Sequence, residues 1–174
     1  ILIEVIDYLP DSYHLDLMLM TDYSDPWSKK IKRMASSRKN VNILNPVPSR
    51  ELVEVGNGYD IGLVICRPSN FNLRNGMPNK FFEYIQSKLC IVCGIQKEMG
   101  SYIEKYDMGV NVDSNDPKAL AAQIEKLSIS QINGYKVNVE EASRVINSET
   151  TKAIFLKHIK AETLNPPRYS NNFS

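Results

Sequence analysis

Short apolar runs recur along the chain, each rich in β-branched residues and closed by turn formers. They fall at residues 14–20, 40–44, 61–66, 89–94 and 108–112, a length and composition that predict buried strands. Helical spacing fills the intervals. Residues 1–9 read as a helix, and residues 26–38 form a second in which Trp27, Ile31 and Met34 are spaced to share one buried face. Ser49 is placed to cap a third, with Leu52, Val53 and Val55 turned inward. A helix links the strands at 61–66 and 89–94, and a loop and short helix span 96–106. Asp116-Pro117 opens another helix, with Leu120, Ile124 and Leu127 on one stripe. Helical patterns over 137–146 and 149–160 close the domain. Strand and helix alternation at this interval predicts an α/β fold, a doubly wound parallel sheet covered on both faces.

The composition removes several alternatives. With 21 basic and 20 acidic residues the formal charge is +1, which gives no reason to expect a nucleic-acid surface. No apolar run approaches the roughly 20 residues of a membrane span. One helix is locally basic, through Lys29, Lys30, Lys32, Arg33 and Arg38; it reads as a solvated outer face, with phosphate or anionic lipid as the functional alternative. Cys90 and Cys93 lie three apart in one strand, so their side chains point to opposite faces, and with Cys66 they read as buried thiols rather than a metal or redox pair. The tail from Asn165 has a disorder-prone composition. The first residues stand inside a helical pattern, so the chain reads as a fragment, residues 1–164 forming one domain that lacks its first strand.

The most informative stretch is residues 75–84, Asn-Gly-Met-Pro-Asn-Lys-Phe-Phe-Glu-Tyr. It follows one strand and enters the helix that leads to the next. In a parallel sheet such a loop lies at the carboxyl edge, where open α/β sheets hold ligands, and the helix start faces the same crevice.

Four segments in order carry a resemblance. Residues 40–52 (Asn-Val-Asn-Ile-Leu-Asn-Pro-Val-Pro-Ser-Arg-Glu-Leu), 59–64 (Tyr-Asp-Ile-Gly-Leu-Val), 77–84 (Met-Pro-Asn-Lys-Phe-Phe-Glu-Tyr) and 89–92 (Leu-Cys-Ile-Val) resemble the C-terminal, donor-binding domain of GT-B fold retaining glycosyltransferases, the group 1 type that builds capsules and lipopolysaccharide. The resemblance covers roughly residues 2–127. Three features depart from the family pattern: Thr21-Asp22-Tyr23-Ser24 stands where a glycine-rich turn is usual, Asn75 replaces the first acid of a paired-glutamate motif, and Lys88-Leu89-Cys90 replaces Gly-Leu-Pro.

The resemblance implies transfer of a sugar from a nucleotide-diphosphate donor to a hydroxyl acceptor. Backbone N–H groups of Gly76, Met77, Asn79 and Lys80, with Pro78 at the helix start, would face the diphosphate. Glu83 would accept from the ribose hydroxyls, the turn at Val47 and Pro48 would line the base slot, and Arg67 and Arg74 could meet phosphate. Glu83 and Asn75 are the candidate catalytic positions, although an amide at Asn75 can hydrogen-bond but carries neither charge nor a proton. No resident cofactor and no metal are expected, since Asp-x-Asp and His/Asp clusters are absent from the sequence. The acceptor, a saccharide or lipid-linked hydroxyl, would bind a missing N-terminal domain, and the isolated domain should bind nucleotide weakly without turnover. The resemblance further implies a cytoplasmic protein whose parent touches the inner face of a membrane. Two other readings keep a doubly wound fold: a non-catalytic nucleotide-binding domain, suggested by Asn75, and a signalling receiver, for which only Asp22 and Asp25 lie near a strand end.

Overall fold

The computed structural model describes residues 1–65 and 76–147; Cys66, Arg67, Arg74, Asn75, the 149–160 pattern and the tail fall outside them. The order is α1 (Leu2–Val5) continued by a 3-10 turn (Ile6–Tyr8), β1 (Leu15–Met18), α2 (Pro26–Ser36), β2 (Val41–Leu44), a 3-10 turn (Ser49–Glu51) running into α3 (Leu52–Gly56), β3 (Ile61–Val64), α4 (Asn79–Gln86), β4 (Cys90–Cys93), α5 (Lys97–Tyr106), β5 (Gly109–Asn111), α6 (Pro117–Glu125) and α7 (Ile129–Ser143). The architecture is the expected α/β one, with parallel strands flanked by helices.

The expected single sheet is divided in two. β1 pairs in parallel with β2, Leu15 opposite Val41, and β3, β4 and β5 form a second parallel sheet in that order, Gly62 opposite Ile91 and Val92 opposite Val110. Among the described residues no ladder joins β1 to β3. A slot of about 660 Å³ lies there instead, lined by Leu15 and Leu17 of β1, Ile61 and Leu63 of β3, and Leu2 and Val5 of α1.

Side-chain alternation sorts the larger sheet into two cores. Val64, Ile91 and Cys93 pack with Phe81, Ile85, Met99, Ile103 and Val139 on one face. Val92 and Val112 pack on the other with Val5, Leu120 and Ile124, alongside partly buried Ile61 and Leu63. Cys93 and Cys90 are fully buried thiols, and burial pushes the Cys90 thiol up to about 12, so it is inert at neutral pH. A third cluster, with Ile3, Ala35 and Val41 at its centre, holds α1 and α2 against the smaller sheet. Full burial of side chains such as Phe81 and Ile85 stabilises by roughly 1.5–3 kcal/mol each.

Three local expectations are corrected. Ser49 makes no cap hydrogen bond and is the first residue of a 3-10 turn entered from Pro48. Trp27 is 62% exposed rather than buried, while Ile31 and Met34 do pack inward. The last described helix begins at Ile129, well before 137, set by a capping box in which the Ser128 hydroxyl accepts from Gln131 N–H and the Gln131 side chain accepts from Ser128 N–H. Gly134 sits within this helix and Ile129 is 79% exposed, which blurs the apolar stripe over those turns.

Candidate functional site

The site candidate is built on α4. Its anchor is the core face: Phe81 and Ile85, four residues apart, are fully buried, and Phe81 meets the Tyr102 ring edge-on at 6.4 Å. Tyr84 lies over β3 at Gly62, where a β-carbon would stand 2.5 Å from the ring; the absent side chain lets helix and strand approach. Burial, and then the neighbouring Glu83 charge, raises the Tyr84 phenol pKa. The helix end is fixed by Lys88 in the left-handed region, φ 55°, with Leu89 N–H donating to the Tyr84 carbonyl at 3.1 Å, the bond of a Schellman ending. Lys88 also pairs with Glu140 of α7 at 2.7 Å, and Gln86 Nε2 donates to the Ile146 carbonyl at 2.9 Å.

The start of α4 is open. Pro78, half-buried, occupies the cap position in an extended conformation rather than the first helical position, and no side chain caps the helix. Asn79 and Lys80 are its exposed first residues, preceded by exposed Gly76 and by Met77, which packs on the core. Glu83 is half-buried, one turn in, on the flank away from Phe81 and Ile85. Its carboxylate makes no hydrogen bond or ion pair among the described residues.

Val47, half-buried, and Pro48, exposed, fall in the turn after β2. They are brought to the same edge as the α4 start. A β-carbon at Gly56, the last residue of α3, would lie 2.2 Å from Ser87 Oγ, directly after α4. Both helices thus finish side by side after eight residues of helical path, about 12 Å, and both begin at the opposite edge. Arg67, Arg74 and Asn75 lie outside the described residues.

One polar group at this edge was not singled out from the sequence. Gln96, at the cap position of α5 after β4, is 3% exposed, and its Nε2 has no hydrogen-bond partner among the described residues. A lone glutamine before a helix carries no distinguishing signal. Among the described residues no cluster of three or more His, Cys, Asp or Glu is placed to hold a metal ion, and no helix is long and apolar enough to cross a membrane.

Solved structures share this fold. The Anabaena Alr3699/HepE structure, in complex with UDP-glucose, superposes with a TM-score of 0.69 at 14% identity over 95% of this chain and 44% of that one. The Burkholderia multivorans α,α-trehalose 6-phosphate synthase gives 0.65 at 14% identity, covering 88% of this chain and 36% of that one. WaaG, a glycosyltransferase involved in lipopolysaccharide biosynthesis, gives 0.58 at 12% identity, covering 95% and 50%. The fold is Rossmann-like, of the GT-B kind. No protein-family model and no curated protein sequence matches the chain. The chain spans half or less of the length of each of these structures.

Proposed function

We propose that this chain is the donor-binding domain of a glycosyltransferase that moves a sugar from a nucleotide diphosphate to a hydroxyl acceptor in bacterial polysaccharide or glycoconjugate synthesis. The observation that carries the proposal is the fold shared over 95% of the chain with a structure holding UDP-glucose, combined with an uncapped helix start at the edge where such sheets hold ligands. The diphosphate would rest on the N–H groups at the start of α4, beside Lys80, with Arg67 as a further phosphate contact. Glu83, without a partner among the described residues, would accept from the two ribose hydroxyls, while Val47 and Pro48 would border the base and Asn75 the sugar. Leaving-group charge would be met by oriented dipoles and cations, with no metal required.

The acceptor, a saccharide or a lipid-linked one, belongs in this reading to a separate N-terminal domain. The parent would be cytoplasmic and would touch the inner face of a membrane. The facing edges of β1 and β3, unpaired among the described residues, and the apolar slot between them support a further parallel strand at that place, completing one sheet from the two. A donor-binding domain without catalysis is the second reading, favoured by Asn75 at the position where the family pattern has an acid.

Titration calorimetry with a panel of nucleoside diphosphates tests the proposal: one of them should bind, and Glu83→Ala should weaken it by about 1.5–3 kcal/mol, as when a charged hydrogen-bond partner is lost. A folded chain that binds none of the panel would overturn both readings. An unchanged affinity in Glu83→Ala would remove Glu83 from the site.

A further inference from the structure

The outer surface of α2 has a composition that the donor site does not use. Lys29, Lys30, Lys32 and Arg33 are all solvent-facing, and the helix itself contains no acid. Two large apolar side chains of the same stretch stand in water, Trp27 in the first turn of the helix at 62% exposure and Met20 in the loop before it at 91%. Pro26, Lys29, Lys32 and Arg33 border a shallow depression, and the Lys32 ammonium lies over the Tyr23 ring at 5.2 Å, so the preceding loop runs along this part of the helix. The described acids nearby form no ion pair with these cations. Asp25 accepts from the N–H groups of Trp27 and Ser28 and from the Ser28 hydroxyl, Asp22 accepts from Ser24 N–H, and Glu4 attracts Lys30 electrostatically. Lys29, Lys32 and Arg33 have no ion pair among the described residues.

An exposed indole and thioether on the same stretch as a cluster of cations that make no ion pair among the described residues match one kind of partner. The indole and thioether gain by entering the headgroup region of a bilayer, where Trp is enriched, and the cations gain from an anionic leaflet. A nucleic-acid strand would satisfy the same charges, yet it would usually stack on aromatic rings held in a groove, and Trp27 stands on an open helix flank. We propose that α2 and the loop before it form a docking surface for anionic lipid, with Trp27 and Met20 inserted and Lys29, Lys32 and Arg33 at headgroup level. This gives a location to the membrane contact in the proposed function and rests on that part of it. Its failure would leave donor binding untouched, because vesicles and nucleotides report on the two separately.

Trp27 is the sole tryptophan, so its emission reports on this surface alone. The 174-residue chain should sediment with vesicles of phosphatidylglycerol and phosphatidylcholine but not with pure phosphatidylcholine, and its Trp27 emission should shift to the blue only with the former. Reversing three charges (Lys29→Glu, Lys32→Glu, Arg33→Glu) should weaken vesicle binding by roughly 100-fold or more without altering far-ultraviolet circular dichroism. Trp27→Ala with Met20→Ser should weaken it while keeping its salt dependence. Absence of binding to phosphatidylglycerol vesicles overturns the proposal. So does binding without a blue shift that single-stranded oligonucleotide reproduces at equal strength, which would mark a general polyanion surface.

Discussion

The contact that seats α4 on the sheet can be tested by filling it. In Gly62→Ala the new methyl carbon would stand 2.5 and 2.6 Å from Tyr84 Cδ2 and Cγ, about 1 Å inside ordinary carbon contact. Both atoms belong to a ring whose helix is pinned by buried Phe81 and Ile85, so the strain is shared between strand and helix and should cost about 1–3 kcal/mol. Tyr84→Ala alone leaves a cavity and should cost about 2–4 kcal/mol, somewhat under the range for a fully buried aromatic ring because Tyr84 is partly exposed. Together the two changes remove the clash, and the methyl added at position 62 fills part of the space. Gly62→Ala in the Tyr84→Ala background should therefore be close to neutral, a coupling of about 1–3 kcal/mol. Urea denaturation of the four proteins, followed by circular dichroism, measures it. If Gly62→Ala costs the same in both backgrounds, the Tyr84 ring does not lie on Gly62, and the account of how α4 is placed fails.

Two further outcomes follow from local features of the helices. Lys88 holds a left-handed conformation, φ 55°, which costs a non-glycine residue about 1 kcal/mol, while its exposed pair with Glu140 returns about 0–1 kcal/mol. Lys88→Gly should thus be more stable than Lys88→Ala by roughly 0.5–1 kcal/mol in thermal melts, because both lose the pair and only glycine relieves the backbone; equal stability would contradict the assigned helix ending. Asp7 accepts from Arg38 Nε and Nη2, and this bonding holds its carboxyl below the ordinary value of 3.8. A depressed folded-state value means stability that is full above the unfolded value and lost as pH falls through the folded one. The advantage of the natural chain over Asp7→Asn in urea should be constant from about pH 7 to 5 and shrink below about pH 4.

The strands were legible because short β-branched runs between turn residues have few alternatives to burial, and each expected run contains an observed strand. The opposite faces of Cys90 and Cys93 followed from the two-residue period of a strand, and the Asp116-Pro117 start followed from local cap chemistry, with Asp116 Oδ2 accepting from Ala119 N–H at 3.0 Å. What was not legible depends on distant partners. The break between β1 and β3 concerns which edges meet, and periodicity within a strand carries no information on that. Trp27 satisfies the spacing of a buried face, yet it stands at the first turn of α2, where the flank is open to water. Gln96 became notable only when burial left its Nε2 without a partner among the described residues. The strand and the helix that flank the proposed site were legible from their apolar spacing, and both are present as β3 and α4.

The charges at helix starts bear on where a diphosphate could rest. Five described helices follow a strand, and each directs the positive end of its dipole toward the chain that enters it. α2 is capped by the Asp25 carboxylate and α6 by that of Asp116. α3 has Glu51 at its cap and Glu54 in its first turn, and α5 has Glu98 in its first turn. Each carboxylate neutralises the local dipole and would repel an incoming anion. α4 alone among them has no acid at its cap or in its first turn, and it carries Lys80 there. A cap at that position would have added about 1 kcal/mol of stability, which the sequence forgoes. A helix start left unneutralised, at the edge that also holds the Val47-Pro48 turn, is what an anionic ligand of the sheet requires, and it separates α4 from its neighbours on electrostatic grounds that do not depend on the resemblance.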